Sequence, residues 1–142
     1  MTQEEKSILI KDLSARLPYY PKCEMIDEIR VVNGEKDPSY ISTLFPKHVE
    51  LFSYHNNFTI KPYLRRMSSM TNEEETAYRR TWYDPLFDAA TRRHTREEDL
   101  MLLAKAQHDS IMFLLENHFD FLGLIQSGLA IEVTKENNPY KD

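Results

Sequence analysis

The sequence predicts an α+β fold in which an N-terminal helix and a small antiparallel sheet precede a helical C-terminal half that packs on one face of the sheet. Three observations support this prediction. Three Thr-x-x-Glu motifs mark helix starts, residues 22–66 carry short apolar segments of period two, and residues 96–118 form a long segment without Pro or Gly. Because 142 residues suffice for one hydrophobic core, we expect a single domain over 1–142.

Each predicted helix begins with a capping box. Thr2, Thr71 and Thr95 each stand three residues before a glutamate. The threonine hydroxyl can accept the glutamate amide, while the glutamate carboxylate accepts the threonine amide. The predicted helices cover about 3–16, 72–83 and 96–118. Pro18 ends the first helix and Pro85 interrupts the second, because the residue before a proline avoids the helical conformation.

The middle of the chain is predicted to form the sheet. Its strands are expected at 23–26, 29–32, 40–44, 49–54 and 58–64. Directly after the predicted strand 29–32, Asn33 and Gly34 supply the two positive φ angles of a type I′ hairpin turn. Pro62 lacks a backbone donor, so the strand that contains it is an edge strand or ends there.

The longest predicted helix has apolar residues on two sides. At about 100° per residue, its broad face contains Leu100, Leu103, Ala104, Gln107, Ile111, Leu114 and Leu115. A polar strip of Lys105, Asp109 and Glu116 separates this face from a second apolar stripe of Leu102, Ala106 and Phe113. Such a helix is either sandwiched within its domain or shared with a partner. The second stripe is the predicted interaction surface, in a homodimer or a heteromeric complex.

The C-terminal residues divide into an apolar tail and a polar end. Residues 119–133 are short and apolar, and they predict a helical turn with a glycine C-cap at Gly128, followed by a short strand. Residues 134–142 are polar, and we expect them to be frayed.

Composition excludes several classes of protein. No run approaches the roughly 20 apolar residues of a transmembrane helix, and the acidic N-terminal residues do not fit a secretory signal. The single cysteine, Cys23, cannot form an internal disulfide, which is typical of the reducing cytoplasm. Glycine occurs only at 34, 123 and 128, so no phosphate-cradling loop can form. We therefore predict a cytoplasmic protein without a cofactor or membrane contact.

No catalytic or metal-ligating residue is predicted. The chain contains five histidines: His48, His55, His94, His108 and His118. None forms a His-x-x-x-His pair, and one cysteine excludes a Cys-x-x-Cys zinc site. His108 and Asp109 are adjacent, but helical neighbours point about 100° apart and are not expected to form a dyad. Cys23 beside Met25 on a strand is typical of an inert core residue.

Charge is distributed unevenly along the chain. The net charge is −5, but residues 61–96 hold eight basic and five acidic residues, a local charge of +3 that leaves −8 for the remainder. Lys61, Tyr63 and Arg65 share one face of a predicted strand, with Arg66 on the other. The next helix adds Arg79, Arg80 and Trp82. Arginines interleaved with aromatics can pair phosphates and stack bases, whereas such charges can also form solvated helix faces paired with glutamates.

Three stretches carry a resemblance to a known family. KDLSARLPY at 11–19, KPYLRRMSSMT at 61–71 and HFDFLGLIQSGLA at 118–130 resemble, in order and spacing, a family of small uncharacterised proteins encoded by gut bacteria, often within prophages and other mobile elements. This resemblance implies a bacterial, intracellular and phage-associated setting, and no catalytic residues. The leading hypothesis is a non-enzymatic accessory or protein-interaction protein. The alternatives are a nucleic-acid-binding protein that uses 61–96, and a hydrolase whose site forms only in the tertiary structure.

Overall fold

The computed structural model describes residues 1–141 and confirms the α+β class with an N-terminal helix. The helices are α1 (Gln3–Arg16), α2 (Pro46–Tyr54), α3 (Asn72–Thr91) and α4 (Arg96–Glu116). The strands are β1 (Lys22–Asp27), β2 (Val31–Val32), β3 (Glu35–Lys36), β4 (Ser39–Thr43), β5 (Phe58–Arg66), β6 (Phe119–Asp120) and β7 (Ile131–Glu132). Across 1–141, no helix combines the length and apolar character needed to cross a membrane.

The elements belong to two compact units. Unit 1 comprises Met1–Arg66 and Asp120–Asp142, and unit 2 comprises Met67–Phe119. Unit 1 therefore holds α1, α2 and most of the strands, whereas unit 2 is built on a hairpin of α3 and α4. The expectations of a single domain over 1–142 and of a helical half packed on the sheet stay predictions.

The first helix has the bounds that its capping box predicts. Thr2 Oγ1 accepts the Glu5 amide over 3.0 Å, and Glu5 Oε2 accepts the Thr2 amide over 2.8 Å. The same reciprocal bonds open α3 at Thr71 and α4 at Thr95. These bonds satisfy amides that have no partner within the helix, so they fix where each helix begins.

The sheet of unit 1 is small and mostly antiparallel. Strand β1 pairs antiparallel with β4 on one side and with β5 on the other, while β5 also pairs with β6 and, in parallel, with β7. Burial alternates along β1 and along the first half of β5, so one face of the sheet covers the core; Pro62, Tyr63 and Leu64 are all buried. That core includes Leu9, Leu13, Cys23, Met25, Phe52, Ile60 and Leu64.

The predicted strand over 49–54 is wrong, because these residues belong to α2. Pro46 stands in the first turn, where its fixed φ and missing amide suit a helix. The Phe45 amide donates to His48 Nδ1 over 3.0 Å, which caps the helix start. His48 and Phe52 are the buried residues of α2, and their spacing of four is the helical period rather than a strand's.

The Asn33-Gly34 hairpin turn is confirmed. The two residues have φ angles of 53° and 81°, and they join β2 to β3 with Val31 opposite Lys36. The strand predicted over 29–32 is shorter than expected, since only Val31–Val32 is paired. Both strands of this ribbon are exposed, so no core contact extends the pairing.

The prediction that Pro62 marks an edge strand or a strand end is also wrong. Strand β5 continues to Arg66 and has neighbours on both sides, with Pro62 opposite Cys23. Lys22 and Tyr63 are the pair next to Cys23 and Pro62. The Lys22 amide and the Tyr63 carbonyl both bond to the Tyr140 hydroxyl, so they point toward the space between the two strands. Successive residues point their backbone groups to opposite sides, so the missing amide of Pro62 points away from β1. The proline therefore removes no hydrogen bond between β1 and β5.

In unit 2, α3 runs to Thr91, so its predicted end near Tyr83 is wrong. Pro85 lies inside the helix, where its ring removes one backbone hydrogen bond and crowds the preceding turn. Packing along α4 overrides this local preference. Helix α4 ends at Glu116, just before its predicted end, because His118 takes a φ of 61° that leaves the helix.

The apolar tail forms the expected turn and strand. Gly128 has a φ of 76°, and the amides of Leu129 and Ala130 donate to the Leu124 carbonyl before the chain enters β7. The buried carboxylate of Asp120 accepts the Leu124 and Ile125 amides, each over 2.9 Å. This carboxylate therefore holds the start of the turn.

The expectation of a frayed end over 134–142 is wrong for 134–141, and residue 142 lies outside the described residues. Asn137 Oδ1 accepts the Thr134 amide over 2.6 Å, which closes a turn. The Tyr140 hydroxyl donates to the Tyr63 carbonyl over 2.8 Å, so the segment is attached to the sheet. The polar sequence shows no sign of this attachment, because Tyr140 and Tyr63 lie far apart in the chain.

Candidate interaction surface of the helical hairpin

The predicted interaction surface faces inward within unit 2. Ala106 is buried, Leu102 and Phe113 are half-buried, and the Phe113 ring lies 5.9 Å from that of Tyr78 on α3. The stripe of Leu102, Ala106 and Phe113 is therefore the seam of the hairpin. Its assignment as a surface for another protein stays a prediction, but these side chains already have a neighbour in their own chain.

The broad apolar face of α4 is the open one. Leu100, Leu103 and Ile111 are 55%, 47% and 45% exposed, although Leu114 and Leu115 at the end of the helix are buried. Between Leu100 and Ile111 this face carries Ala104 and Gln107 and no charged side chain. An apolar stripe of this length that its own chain leaves about half exposed is a feature expected of a contact surface.

Helix α3 extends this open face. Trp82 is 38% exposed and lines a groove of about 340 Å³ between the two helices. The groove is lined by Tyr78, Trp82, Leu86, Leu103, Ala106, Gln107 and Ser110. We call this groove, together with Leu100 and Ile111, the apolar side of the hairpin. Aromatic residues such as Tyr78 and Trp82 are enriched at the core of protein–protein interfaces.

The opposite side of the same hairpin is charged. The groove there is lined by Arg80, Thr81, Asp84, Pro85, Asp88, Leu102, Lys105 and Asp109. Charged residues of both signs are well solvated on an exposed surface, so this side is stable in contact with water. The hairpin thus has one charged and one apolar groove, and the exposed apolar residues Met101, Tyr83 and Phe87 line neither of them.

A histidine joins the two helices at their connection. His94 Nε2 lies 3.1 Å from the Asp88 carbonyl of α3, and His94 Nδ1 lies 3.3 Å from Glu98 Oε2 of α4. The bond to Glu98 is the main cause that raises the pKa of His94, and the nearby Asp88 adds to it. The pKa of Glu98 is lowered, first by the Thr95 amide and then by His94. Sequence spacing alone did not single out this pair, although it is an i,i+4 pair.

The residues of the nucleic-acid hypothesis are divided between the units. Lys61, Tyr63 and Arg65 belong to β5 in unit 1, whereas Arg79 and Arg80 belong to α3 in unit 2. Tyr63 is buried, and burial raises its pKa, so its ring is not open to stack on a base. Arg79 pairs with Glu75 over 2.8 Å, as the solvated-face interpretation of these charges predicts. Arg66 likewise pairs with Glu132 over 2.7 Å.

The remaining histidines serve structural roles or lie at the surface. His48 caps α2, its ring stacks near Phe58, and burial lowers its pKa. His108 Nδ1 lies 3.2 Å from Asp109 Oδ1, so the expectation that these neighbours do not meet is wrong. Both side chains are on the surface and turn toward each other. Over 1–141, no cluster of three His, Cys, Asp or Glu residues could hold a metal ion.

Sequence reasoning missed a buried charged pair in unit 1. Arg16 Nε donates to Asp12 Oδ2 over 2.7 Å, and both side chains have no exposed surface. Burial raises the pKa of Cys23 to about 12, and the charges of Arg16 and Asp12 also reach this thiol. Cys23 is thus an inert core thiol, as its position beside Met25 suggests. The missed signal was an Asp and an Arg four residues apart on the helix face that carries Leu9 and Leu13.

Comparisons with protein-family models, with curated proteins and with solved structures found no match for this chain.

Proposed function

We propose that the protein is a non-enzymatic accessory protein that binds another protein chain through the apolar side of its α3–α4 hairpin. The observation that carries this proposal is the exposure of Leu100, Leu103 and Ile111 on α4, next to Trp82 on α3. The resemblance to phage-associated bacterial proteins adds a cytoplasmic setting and a mobile-element origin to the proposal.

The packing of the hairpin supports a partner rather than an internal contact. The narrow stripe of α4 packs against α3, and the helix retains a second apolar face whose Leu100, Leu103 and Ile111 stay about half exposed. Full burial of a Leu or Ile contributes about 1.5–3 kcal/mol, so each of the three half-exposed residues offers roughly 1 kcal/mol. Trp82 is a residue type that often anchors such interfaces.

The test is photo-crosslinking inside the native bacterium. A photoreactive amino acid replaces Leu103, or, in the matched control, Lys105 on the polar strip of the same helix. We expect discrete crosslinked protein adducts from position 103 and none from 105. Adding Leu100→Asp to the position-103 variant should reduce these adducts by more than tenfold, because it places a charge in the stripe.

Sedimentation of the purified chain separates a second copy from another protein as the partner. Self-association that disappears in Leu103→Asp identifies the partner as a second copy, whereas a monomer with crosslinks identifies a different protein. Equal adducts at positions 103 and 105, or none at either, would contradict the proposal. A variant at Phe113 is unsuitable for this test, because its ring packs on Tyr78 and a charge there would damage the hairpin itself.

Titration with single- and double-stranded oligonucleotides at about 50 mM salt tests the other hypothesis, since phosphate contacts are strongest at low salt. Retention that is lost in an Arg79→Ala, Arg80→Ala double variant would favour nucleic acid as the ligand over a protein.

A further inference from the structure

The C-terminal segment 134–141 leaves the sheet and returns to it at neighbouring positions. The Val133 amide donates to the Leu64 carbonyl over 2.9 Å, at the end of the parallel pairing with β5. Seven residues later, the Tyr140 hydroxyl donates to the Tyr63 carbonyl over 2.8 Å and accepts the Lys22 amide over 3.0 Å. The segment is therefore a loop whose Tyr140 side chain contacts the sheet.

The Tyr140 hydroxyl occupies a position that a ladder hydrogen bond would otherwise fill. The register of β1 and β5 places Cys23 opposite Pro62, so the next pair is Lys22 with Tyr63. The Lys22 amide donates to the Tyr140 hydroxyl, and this hydroxyl donates to the Tyr63 carbonyl. A phenol can donate and accept at once, so it satisfies both groups. We call the space between Lys22 and Tyr63 the tyrosine slot.

The buried Cys23 directly follows Lys22, one side of the tyrosine slot, in β1. Tyr140 is close enough to Cys23 and Arg16 for their charges to influence its pKa, which burial raises well above the ordinary value. Asp12 Oδ1 is buried and has no hydrogen-bond partner among residues 1–141. Burying a carboxylate oxygen without a hydrogen-bond partner costs free energy, so access of water to it is favourable.

We propose that 134–141 is a releasable strap: Tyr140 leaves the tyrosine slot while the sheet stays folded, and its departure lets water reach Cys23, the residue that follows Lys22 in β1. Thr134 bonds to Asn137 and the Tyr140 amide bonds to Asn138, so these bonds within the segment do not involve the sheet. Residues 134–137 are exposed. Segments with few buried contacts open locally at a small fraction of the cost of global unfolding.

Cys23 reports the state of the strap. With the strap docked, the thiol is buried and holds its proton at neutral pH. Release lets water reach the thiol, which removes the main cause of its raised pKa, while the guanidinium of Arg16 continues to favour the thiolate. The released state therefore reacts with alkylating reagents and the docked state does not.

The test measures the alkylation rate of Cys23 by iodoacetamide at pH 8 in three variants and the wild type. We expect Tyr140→Ala to react at least tenfold faster than wild type, and Tyr140→Phe to lie between them because it keeps the ring but loses both hydrogen bonds. Tyr54→Ala removes a tyrosine that is 80% exposed in the same unit, and it should leave the rate unchanged. The enhanced rate should not depend on low concentrations of urea, since opening is local.

Two results would overturn the strap. One is a Tyr140→Ala rate equal to that of wild type, and the other is a rate that rises with urea as steeply as global unfolding does. If Tyr140→Ala does not fold, amide exchange of the wild type decides the question. The Lys22 amide must then exchange at least tenfold faster than that of Glu24, which pairs with Lys61 further along the ladder. Equal exchange rates would contradict the proposal.

Discussion

Replacing Arg16 with methionine should destabilise unit 1 by about 3–5 kcal/mol, because it leaves a buried carboxylate without its countercharge. Arg16 Nε and Asp12 Oδ2 lie 2.7 Å apart, and neither side chain is exposed. Asp12 Oδ1 already lacks a hydrogen-bond partner within 1–141. After the substitution, the carboxylate must either remain charged in an apolar environment or take up a proton.

The size of the effect follows from the distance and the burial of the pair. At an effective dielectric constant of about 20, two unit charges at this separation attract by roughly 6 kcal/mol. Desolvation of the two ions offsets several kcal/mol of this attraction, so the intact pair adds little net stability. When Arg16 is removed, the desolvation penalty of the Asp12 carboxylate is no longer offset by a countercharge. With a total stability of about 5–15 kcal/mol, the variant should lose roughly 10–20 °C in Tm.

The assay is equilibrium unfolding in urea, followed by circular dichroism, with an unchanged m-value as the check that only stability moved. Glu75→Gln is the matched control, because Glu75 and Arg79 have the same spacing and lie 2.8 Å apart but are well exposed. Its cost should be only about 0.3–0.5 kcal/mol. The double variant Asp12→Leu, Arg16→Met should recover most of the loss. A cost for Arg16→Met no larger than that of Glu75→Gln would refute the reasoning.

Two further predictions concern the hairpin, and Trp82, the one tryptophan of the chain, reports both by fluorescence. The raised pKa of His94 means that its protonated form stabilises the hairpin fully below pH 6.5, its ordinary value, and that this stabilisation disappears as pH rises through the raised pKa. The lowered pKa of Glu98 keeps its carboxylate charged above pH 4.5. The ion pair of His94 and Glu98 therefore stabilises the hairpin most between pH 4.5 and 6.5. Pro85→Ala should stabilise the hairpin by up to about 3 kcal/mol, because it restores a backbone donor inside α3.

Each of these predictions has a direct control. His94→Gln should remove the loss of hairpin stability above pH 6.5, and an unchanged pH profile in this variant would contradict the assignment. The lowered pKa of His48 acts in the opposite sense but belongs to unit 1, away from the fluorescence signal. Pro46→Ala should bring no comparable gain, since Pro46 stands in the first turn of α2, where no donor is needed. Destabilisation by Pro85→Ala would show that the proline favours the native helix.

Features that depend on neighbouring residues were predictable from the sequence. The three threonine caps fix helix starts because both reciprocal bonds lie within four residues. The Asn33-Gly34 turn is similar, since its φ angles follow from the residue types. The strand predicted over 49–54 failed because a short apolar run fits both periods, and the bond between Phe45 and His48 decided for a helix.

The candidate surface shows the limit of the same reasoning. Periodicity found both apolar faces of α4, yet it could not say which one α3 would cover, because that choice depends on the shapes of Tyr78 and Phe113 where the helices meet. The return of Tyr140 to the gap between Lys22 and Tyr63 was equally hidden, since it joins residues far apart in the chain. The sequence by itself determined where helices and turns begin. Only the tertiary structure decided which apolar and polar groups are covered, because burial depends on contacts between distant segments.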